Sequence, residues 1–323
     1  MNRLRAAYTL ALLLFAGISL AAVYGTAARR QVLVTDVAIA ADTPAGNGPE
    51  ITRTDLGGDA ADADILLPLP EDVHFEHVSF ENRYMTKELL IRLQTDDAHF
   101  YETHAVPCNT EKVQGIRSVY TAQTRSLDLS VRTSASFEPE PQVSEGEVLV
   151  KLRTPQEMHT LVAVLDPAVS GTGDSALRIA EAVREKAEAS GEGLRVYLTR
   201  TDPVPATEEA CLALVREVSA ERFLRLEGFD EGALAASAYY NDAYFLRGYG
   251  NVELATDAER ALAGINGLTA EGVIAVRDAP VLSSLRIPAC TLRLTGLRGE
   301  EERIAQAADA IYESLRPEQE ETE

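Results

Sequence analysis

The strongest constraint on the fold is an alternation of strand and helix patterns that begins at residue 161. Residues 161–165 form a continuous apolar run, which is typical of a strand buried on both faces. Residues 175–189 follow with apolar side chains at helical spacing. The two patterns then alternate through four further segments: 194–199, 208–218, 222–226 and 304–315. This alternation predicts an α/β fold over residues 158–316, with a mostly parallel sheet flanked by helices.

The preceding segment, residues 64–157, has the two-residue periodicity of β-strands. Short runs with partial alternation occur at three places: 89–93, 126–132 and 147–152. We therefore expect a small all-β domain there, built as an antiparallel sandwich. Residues 31–63 contain few large apolar side chains, which predicts a flexible linker. Residues 317–323 are expected to form an acidic tail.

The N-terminus predicts the topology of the chain. Residues 6–28 carry no charge and are rich in leucine and alanine, and arginines flank them on both sides. A transmembrane helix needs about 20 apolar residues, so residues 1–30 are predicted to be a single-pass membrane anchor. Cleavage as a signal peptide after a small-residue site at 25–27 is the alternative, and it would give a secreted protein. Both interpretations place the folded domains outside the cytoplasm.

Charge and cysteine content exclude several classes of function. The net charge is −21 and the isoelectric point is near 4.7. An acidic surface repels phosphates, so nucleic acid is not an expected partner. The chain has no pair of cysteines at C-x-x-C spacing, which argues against a thiol redox motif or a structural zinc site. Three buried thiols are expected: Cys108, Cys211 and Cys290.

Two short motifs allow other interpretations. His74 and His77 have the spacing of a metal-ligand pair, but exposed histidines in β turns are the preferred explanation. Residues 171–176 match a glycine-rich dinucleotide fingerprint between a strand and a helix. A tight turn with Asp174 or Ser175 capping the helix is the simpler explanation.

The order of the segments after residue 160 resembles a known family. The first strand ends in Asp166-Pro167, and the second ends in a Thr-Arg-x-Asp turn at 199–202. The later strands at 223–227, 238–240 and 287–289 follow in the family's order. Residues 161–315 thus resemble zinc-dependent N-acetylmuramoyl-L-alanine amidases of the amidase 3 type. The β segment is similar to a small sheet domain that precedes such amidases in some bacteria. The resemblance implies a protein of the bacterial cell wall.

The resemblance also implies a zinc site, which this sequence does not retain. Such enzymes hold zinc with two histidines and a glutamate, and a further glutamate acts as general base. The corresponding positions here are Val169, Thr172, Glu227 and Arg293. All the histidines of the chain lie before residue 161: His74, His77, His99, His104 and His159. We therefore predict that the family's zinc is lost and that the domain holds no cofactor or metal.

The predicted function is that of a membrane-anchored, non-catalytic amidase-like protein. It would bind peptidoglycan or a cell-envelope protein during cell-wall remodelling. An active amidase-type hydrolase with a rebuilt site, using Glu227 and His159, is the alternative. A possible ligand surface is formed by Tyr239, Tyr240 and Tyr244, although packing in the core is the more common role of such aromatic residues.

Overall fold

A computed structural model describes residues 33–34, 48–169, 174–243, 248–297 and 301–316. The helices are α1 (Phe100–Thr103), α2 (Pro155–Met158), α3 (Ser175–Ser190), α4 (Glu208–Glu217), α5 (Asn251–Ala263), α6 (Pro280–Ser284) and α7 (Glu301–Leu315). The strands before residue 160 are β1 (Leu33–Val34), β2 (Ile51–Arg53), β3 (Ile65–Pro68), β4 (Val78–Arg83), β5 (Glu88–Gln94), β6 (Val106–Cys108), β7 (Val113–Thr121), β8 (Ser126–Thr133), β9 (Glu138–Ser144) and β10 (Glu147–Arg153). The later strands are β11 (Leu161–Ala168), β12 (Leu194–Leu198), β13 (Arg222–Gly228), β14 (Ala235–Asn241), β15 (Thr269–Val276) and β16 (Ala289–Thr295). Two 3₁₀ turns are Gly58–Ala60 and Phe75–His77.

The first half of the chain forms two sheets with a shared apolar core. Their strand orders are β1-β4-β5-β8-β7 and β2-β6-β3-β10-β9. Most pairs are antiparallel, whereas β1 runs parallel to β4 and β2 runs parallel to β6. Alternate residues such as Leu89, Ile91 and Leu93 of β5 are buried between the sheets, because side chains on a strand point to opposite faces in turn.

Residues 48–63 are predicted to be part of a flexible linker, but they contain a paired strand and buried apolar side chains. Strand β2 pairs with β6 in regular register. Leu56, Ala60 and Ala63 are buried and pack with Leu149 of β10. The physical reason is that a few well-spaced apolar residues can cover one strand of a preformed sheet, although the segment has too few to build a core by itself.

The second half contains the α/β fold that the alternation predicts. Its six strands are ordered β12-β11-β13-β16-β14-β15. Strands β12, β11, β13 and β16 are parallel, whereas β14 is antiparallel to β16 and carries β15 parallel to itself. Helices α3, α5 and α7 cover one face of the sheet. Helices α4 and α6 cover the other face.

The two halves contact each other through buried polar side chains. The hydroxyl of Tyr84, from the end of β4, donates to the carbonyl of Leu198 and accepts from its amide, both at 2.9 Å. Glu138 of β9 accepts hydrogen bonds from Arg195 at 2.8 Å and from Tyr197. All five residues of β12 are buried, so this edge of the six-stranded sheet is covered.

Several predicted segments lie outside the described residues. These are the membrane anchor at residues 1–30, most of residues 31–47 and the acidic tail at 317–323. Among the helices that the structure does describe, none has the length and apolar character required to cross a bilayer.

Candidate functional site

A polar cleft lies on the α4/α6 face of the six-stranded sheet, at the carboxyl ends of the parallel strands. Phe223 of β13 is buried beneath the two helices, and Arg225 and Glu227 follow on the same face at two-residue spacing. Strand register sets Thr291 and Arg293 of β16 beside them. The cleft has a volume of about 570 Å³. Its lining residues are Ala206, Glu208, Arg225, Glu227, Tyr239, Val276, Asp278, Ala279, Pro280, Val281, Leu282, Thr291 and Arg293.

An ion pair between Glu227 and Arg293 forms the centre of the cleft floor. The two residues are register partners on neighbouring strands, and the Arg293 guanidinium donates to the Glu227 carboxylate at 2.9 Å. The central carbon atom of the Arg293 guanidinium lies 5.0 Å from the centre of the Tyr239 ring. Burial lowers the pKa of Arg293, but the hydrogen bond and charge of Glu227 outweigh burial and raise it above its ordinary value. The Arg293 side chain therefore remains charged.

A second arginine–carboxylate pair lies deeper on the same face. Arg225 donates to Asp166 at 3.0 Å, and Asp166 also accepts a hydrogen bond of 2.6 Å from Thr199 at the end of β12. Asp166 is buried, whereas Arg225 reaches the cleft. Asp166 thus ties three neighbouring strands together and holds Arg225 in place.

The arginine of the Thr-Arg-x-Asp turn organises the loops beside the cleft. Arg200 is buried and donates to the carbonyls of Pro167 and Asp202. It also binds both carboxylate oxygens of Asp174, at 2.6 and 3.1 Å. Asp174 occupies the N-cap position of α3 as predicted, but its side chain makes no capping hydrogen bond, because its carboxylate binds this guanidinium. Ser175 donates to Asp230 at 2.6 Å.

Three of the four positions that correspond to the family's metal site lie at this edge of the sheet. Val169 directly follows Ala168, which is the register partner of Glu227. Its apolar side chain is 49% exposed and offers no ligand atom. Glu227 and Arg293 bind each other, as described above. Thr172 and the glycine-rich residues 171–173 lie outside the described residues.

Of the three tyrosines predicted as a ligand surface, the two that the structure describes, Tyr239 and Tyr240, lie on opposite faces of β14. Tyr239 lines the cleft, and its hydroxyl lies 3.4 Å from Arg293. Tyr240 points to the opposite face and packs against the core beneath α5 and α7, which corrects its predicted place on the surface. The reason is the strand geometry, because adjacent residues alternate between faces. Tyr244 lies outside the described residues.

The histidines lie away from the cleft. His159 follows α2 at the amino end of β11, whereas Glu227 lies at the carboxyl end of β13, so the rebuilt site that would join them is not formed. The His74 and His77 rings lie 5.7 Å apart on a turn of the β half. Within the described ranges, no group of three or more histidine, cysteine, aspartate or glutamate side chains has the arrangement of a metal site.

Some cleft residues were not identified from the sequence. Arg225 could have been found, because it lies two residues before Glu227 on a predicted strand and so shares its face. Glu208 is the first residue of α4, and Asp278 lies in the loop before α6. Both enter the cleft only through the packing of these helices. No local pattern marks them.

Comparison with known proteins gives matches among solved structures. No family model matches the chain, and no curated protein matches it. The N-acetylmuramoyl-L-alanine amidase AmiC2 of Nostoc punctiforme is 19% identical, with a TM-score of 0.40; the match covers 48% of this chain and 94% of that one. An N-acetylmuramoyl-L-alanine amidase from Clostridium difficile 630 is 17% identical, with a TM-score of 0.41 and the same coverage.

A further match is the CwlD amidase from Clostridioides difficile, solved in complex with the GerS lipoprotein. It is 19% identical, has a TM-score of 0.36, and covers 48% of this chain and 96% of that one. The solved structures to which this chain is similar thus include N-acetylmuramoyl-L-alanine amidases.

Proposed function

We propose that this chain is a membrane-anchored, extracytoplasmic amidase-like protein that binds peptidoglycan in its cleft without hydrolysing it. The observation that carries the proposal is the ion pair between Glu227 and Arg293. In the family that the sequence resembles, these positions supply a histidine ligand and the general base. Here they neutralise each other.

The residues of the cleft do not fit a catalytic zinc ion. Zinc in proteins is held by imidazole, thiolate and carboxylate groups, and catalytic sites commonly use two or three histidines. The cleft lining contains neither histidine nor cysteine among its described residues. Its best-placed carboxylate, Glu227, already binds Arg293, and two guanidinium groups oppose the entry of a cation.

The same residues are suited to holding a polar ligand. Arg225 and Arg293 present planar forks of N–H donors, which match carboxylates and amide oxygens. Tyr239 adds an aromatic face and a hydroxyl, a combination that contacts sugar rings and peptides. Glu208 and Asp278 supply acceptors for ammonium and amide N–H groups. Peptidoglycan, a glycan with short peptides bearing carboxylates and amines, offers partners for each of them.

Cosedimentation of the full chain with purified cell-wall sacculi tests this proposal. Arg293→Ala and Tyr239→Ala should each weaken binding by about tenfold or more, the size expected for a central contact. Arg92→Ala is the matched control, because its side chain is 46% exposed against 44% for Arg293 and is also paired with a carboxylate. The proposal fails if all the variants bind as the wild type does.

Membrane attachment is tested separately. The uncharged run at residues 6–28 should keep the full chain in the membrane fraction through alkaline carbonate extraction. External protease should then digest the folded part in cells stripped of their wall. Release of the protein by carbonate, or protection from protease, would refute this part of the proposal.

A further inference from the structure

Both guanidinium groups on the floor of the cleft already have a carboxylate partner. Arg293 binds Glu227 at 2.9 Å. Arg225 binds the buried carboxylate of Asp166 at 3.0 Å, through one of its nitrogen atoms. A guanidinium has five N–H donors, so Arg225 keeps others for a ligand. The floor therefore offers donors without an excess of positive charge.

The walls of the cleft carry two more carboxylates. Glu208, the first residue of α4, is half-buried, and Asp278 lies in the loop before α6. Within the part of the chain that the structure describes, neither carboxylate has a hydrogen-bond or ion-pair partner. With Asp166 included, the described residues of the cleft thus place four carboxylates beside two guanidinium groups.

This excess of carboxylates determines which ligand charge fits. The two unpaired carboxylates repel an anion, whereas an ammonium group supplies the three N–H donors that they lack. Hydrogen bonds between charged groups are about twice as strong as neutral ones. The spare donors of Arg225 suit an oxygen atom next to that ammonium, such as a peptide carbonyl or a carboxylate.

We propose that the cleft recognises the free ammonium group of a peptide through Glu208 and Asp278, with a neighbouring oxygen held by Arg225. This inference rests on the proposed function and narrows it to one part of peptidoglycan. A metal ion beside Glu227 would have to break its ion pair with Arg293, whereas an ammonium group at the walls leaves both floor pairs intact.

The inference makes the protein a sensor of cross-linking. An amine of a stem peptide that is used in a cross-link becomes a neutral amide, which loses its charge and all but one of its N–H donors. A stem peptide that is not cross-linked keeps its ammonium group. The cleft should therefore prefer wall regions with few cross-links.

Cosedimentation of the full chain, in a mild detergent, with three preparations of sacculi tests this preference. The first is untreated. The second has its free amines acetylated, which removes their charge. The third has them reductively methylated, which keeps the charge and one N–H donor. Acetylation should raise the dissociation constant by about tenfold, the size expected for the loss of charge-assisted hydrogen bonds, and methylation should leave most of the binding intact.

Variants of the two wall carboxylates show whether the preference arises in the cleft. Glu208→Gln and Asp278→Asn should each weaken binding to untreated sacculi, and the double variant should no longer distinguish acetylated from untreated sacculi. Glu209→Gln is the matched control, because Glu209 lies in the same first turn of α4 but does not line the cleft. It should bind as the wild type does.

The possible failures separate this inference from the proposed function. Equal binding of the wild type to acetylated and untreated sacculi would overturn the inference and leave the proposed function standing. A double variant that still responds to acetylation would also overturn it, because the response would then come from the overall charge of the wall. Binding of the wild type to none of the preparations would refute the proposed function, and this inference with it.

Discussion

Replacing Glu138 by glutamine should destabilise this protein far more than the small change in size suggests. Glu138 is buried where the two halves meet. Its carboxylate accepts hydrogen bonds from Arg195 at 2.8 Å, from Asn82 at 3.2 Å and from Tyr197. The glutamine amide keeps one acceptor oxygen but removes the charge that balances the buried guanidinium.

The magnitude follows from the burial of both partners. Breaking one side of a buried ion pair costs about 3–5 kcal/mol, because the remaining charge is left uncompensated. Arg195 also binds Glu188 at 2.9 Å, so part of its compensation survives. We therefore expect a loss of about 3 kcal/mol in the free energy of unfolding, at the lower end of that range.

The effect should depend on pH in a defined direction. Burial raises the pKa of Glu138, but the charge of Arg195 and the hydrogen bond from Tyr197 outweigh burial and hold it below its ordinary value of 4.5. A carboxylate whose pKa is lowered by folding contributes its full stabilisation at pH values above its pKa in the unfolded chain. This stabilisation is lost as the pH falls through its pKa in the folded protein. The difference between wild type and Glu138→Gln should therefore be constant near neutral pH and shrink below pH 4.5.

Urea unfolding followed by circular dichroism measures these differences. Asp128→Asn is the control, because it alters a partly exposed pair with Arg92 on the β half. Such pairs contribute about 0–1 kcal/mol. The reasoning is refuted if Glu138→Gln costs no more than Asp128→Asn, or if its cost stays the same in acid.

Three further predictions concern packing and thiol chemistry. Tyr84→Phe should cost about 1–3 kcal/mol in urea unfolding, because it leaves the buried amide and carbonyl of Leu198 without the hydroxyl that satisfies both; an unchanged midpoint would contradict this. Gly296→Ala should cost at least about 1–3 kcal/mol, since Gly296 has a φ of 73° and an added Cβ would lie 2.7 Å from the Leu234 nitrogen; a neutral effect on thermal unfolding would argue against the strain. Cys108, Cys211 and Cys290 are unpaired and buried, and burial raises their thiol pKa values. The native protein should therefore not react with a thiol reagent near pH 8 until urea unfolds it. Rapid labelling of the folded chain would refute this prediction.

The sequence predicts the α/β half well, because its signals are local. A continuous apolar run marks β11, and helical spacing marks α3 and α7. The reversed direction of β14 could not be predicted, because strand direction depends on long-range pairing. The strand at β2 was also missed, since its few apolar residues matter only once a neighbouring sheet exists.

The candidate site is predictable in its positions but not in its contacts. Segment order indicates Glu227 and Arg293 as the altered positions, yet their ion pair depends on the register of two strands that are 66 residues apart in the chain. Strand alternation separates Tyr239 from Tyr240, and applying that rule to the sequence would have placed only one of them in the cleft. Glu208 and Asp278 can be assigned to the cleft only from the packed structure, because the packing of α4 and α6 brings them there.

The most direct test of the central claim is to measure zinc and peptide release in one experiment. The purified full chain is equilibrated with zinc, freed of unbound metal, analysed for metal content and incubated with sacculi, beside an active zinc amidase as positive control. An ion pair of Glu227 with Arg293 in a cleft without histidine predicts no stoichiometric zinc and no released stem peptide. One zinc ion per chain together with stem-peptide release would contradict the account.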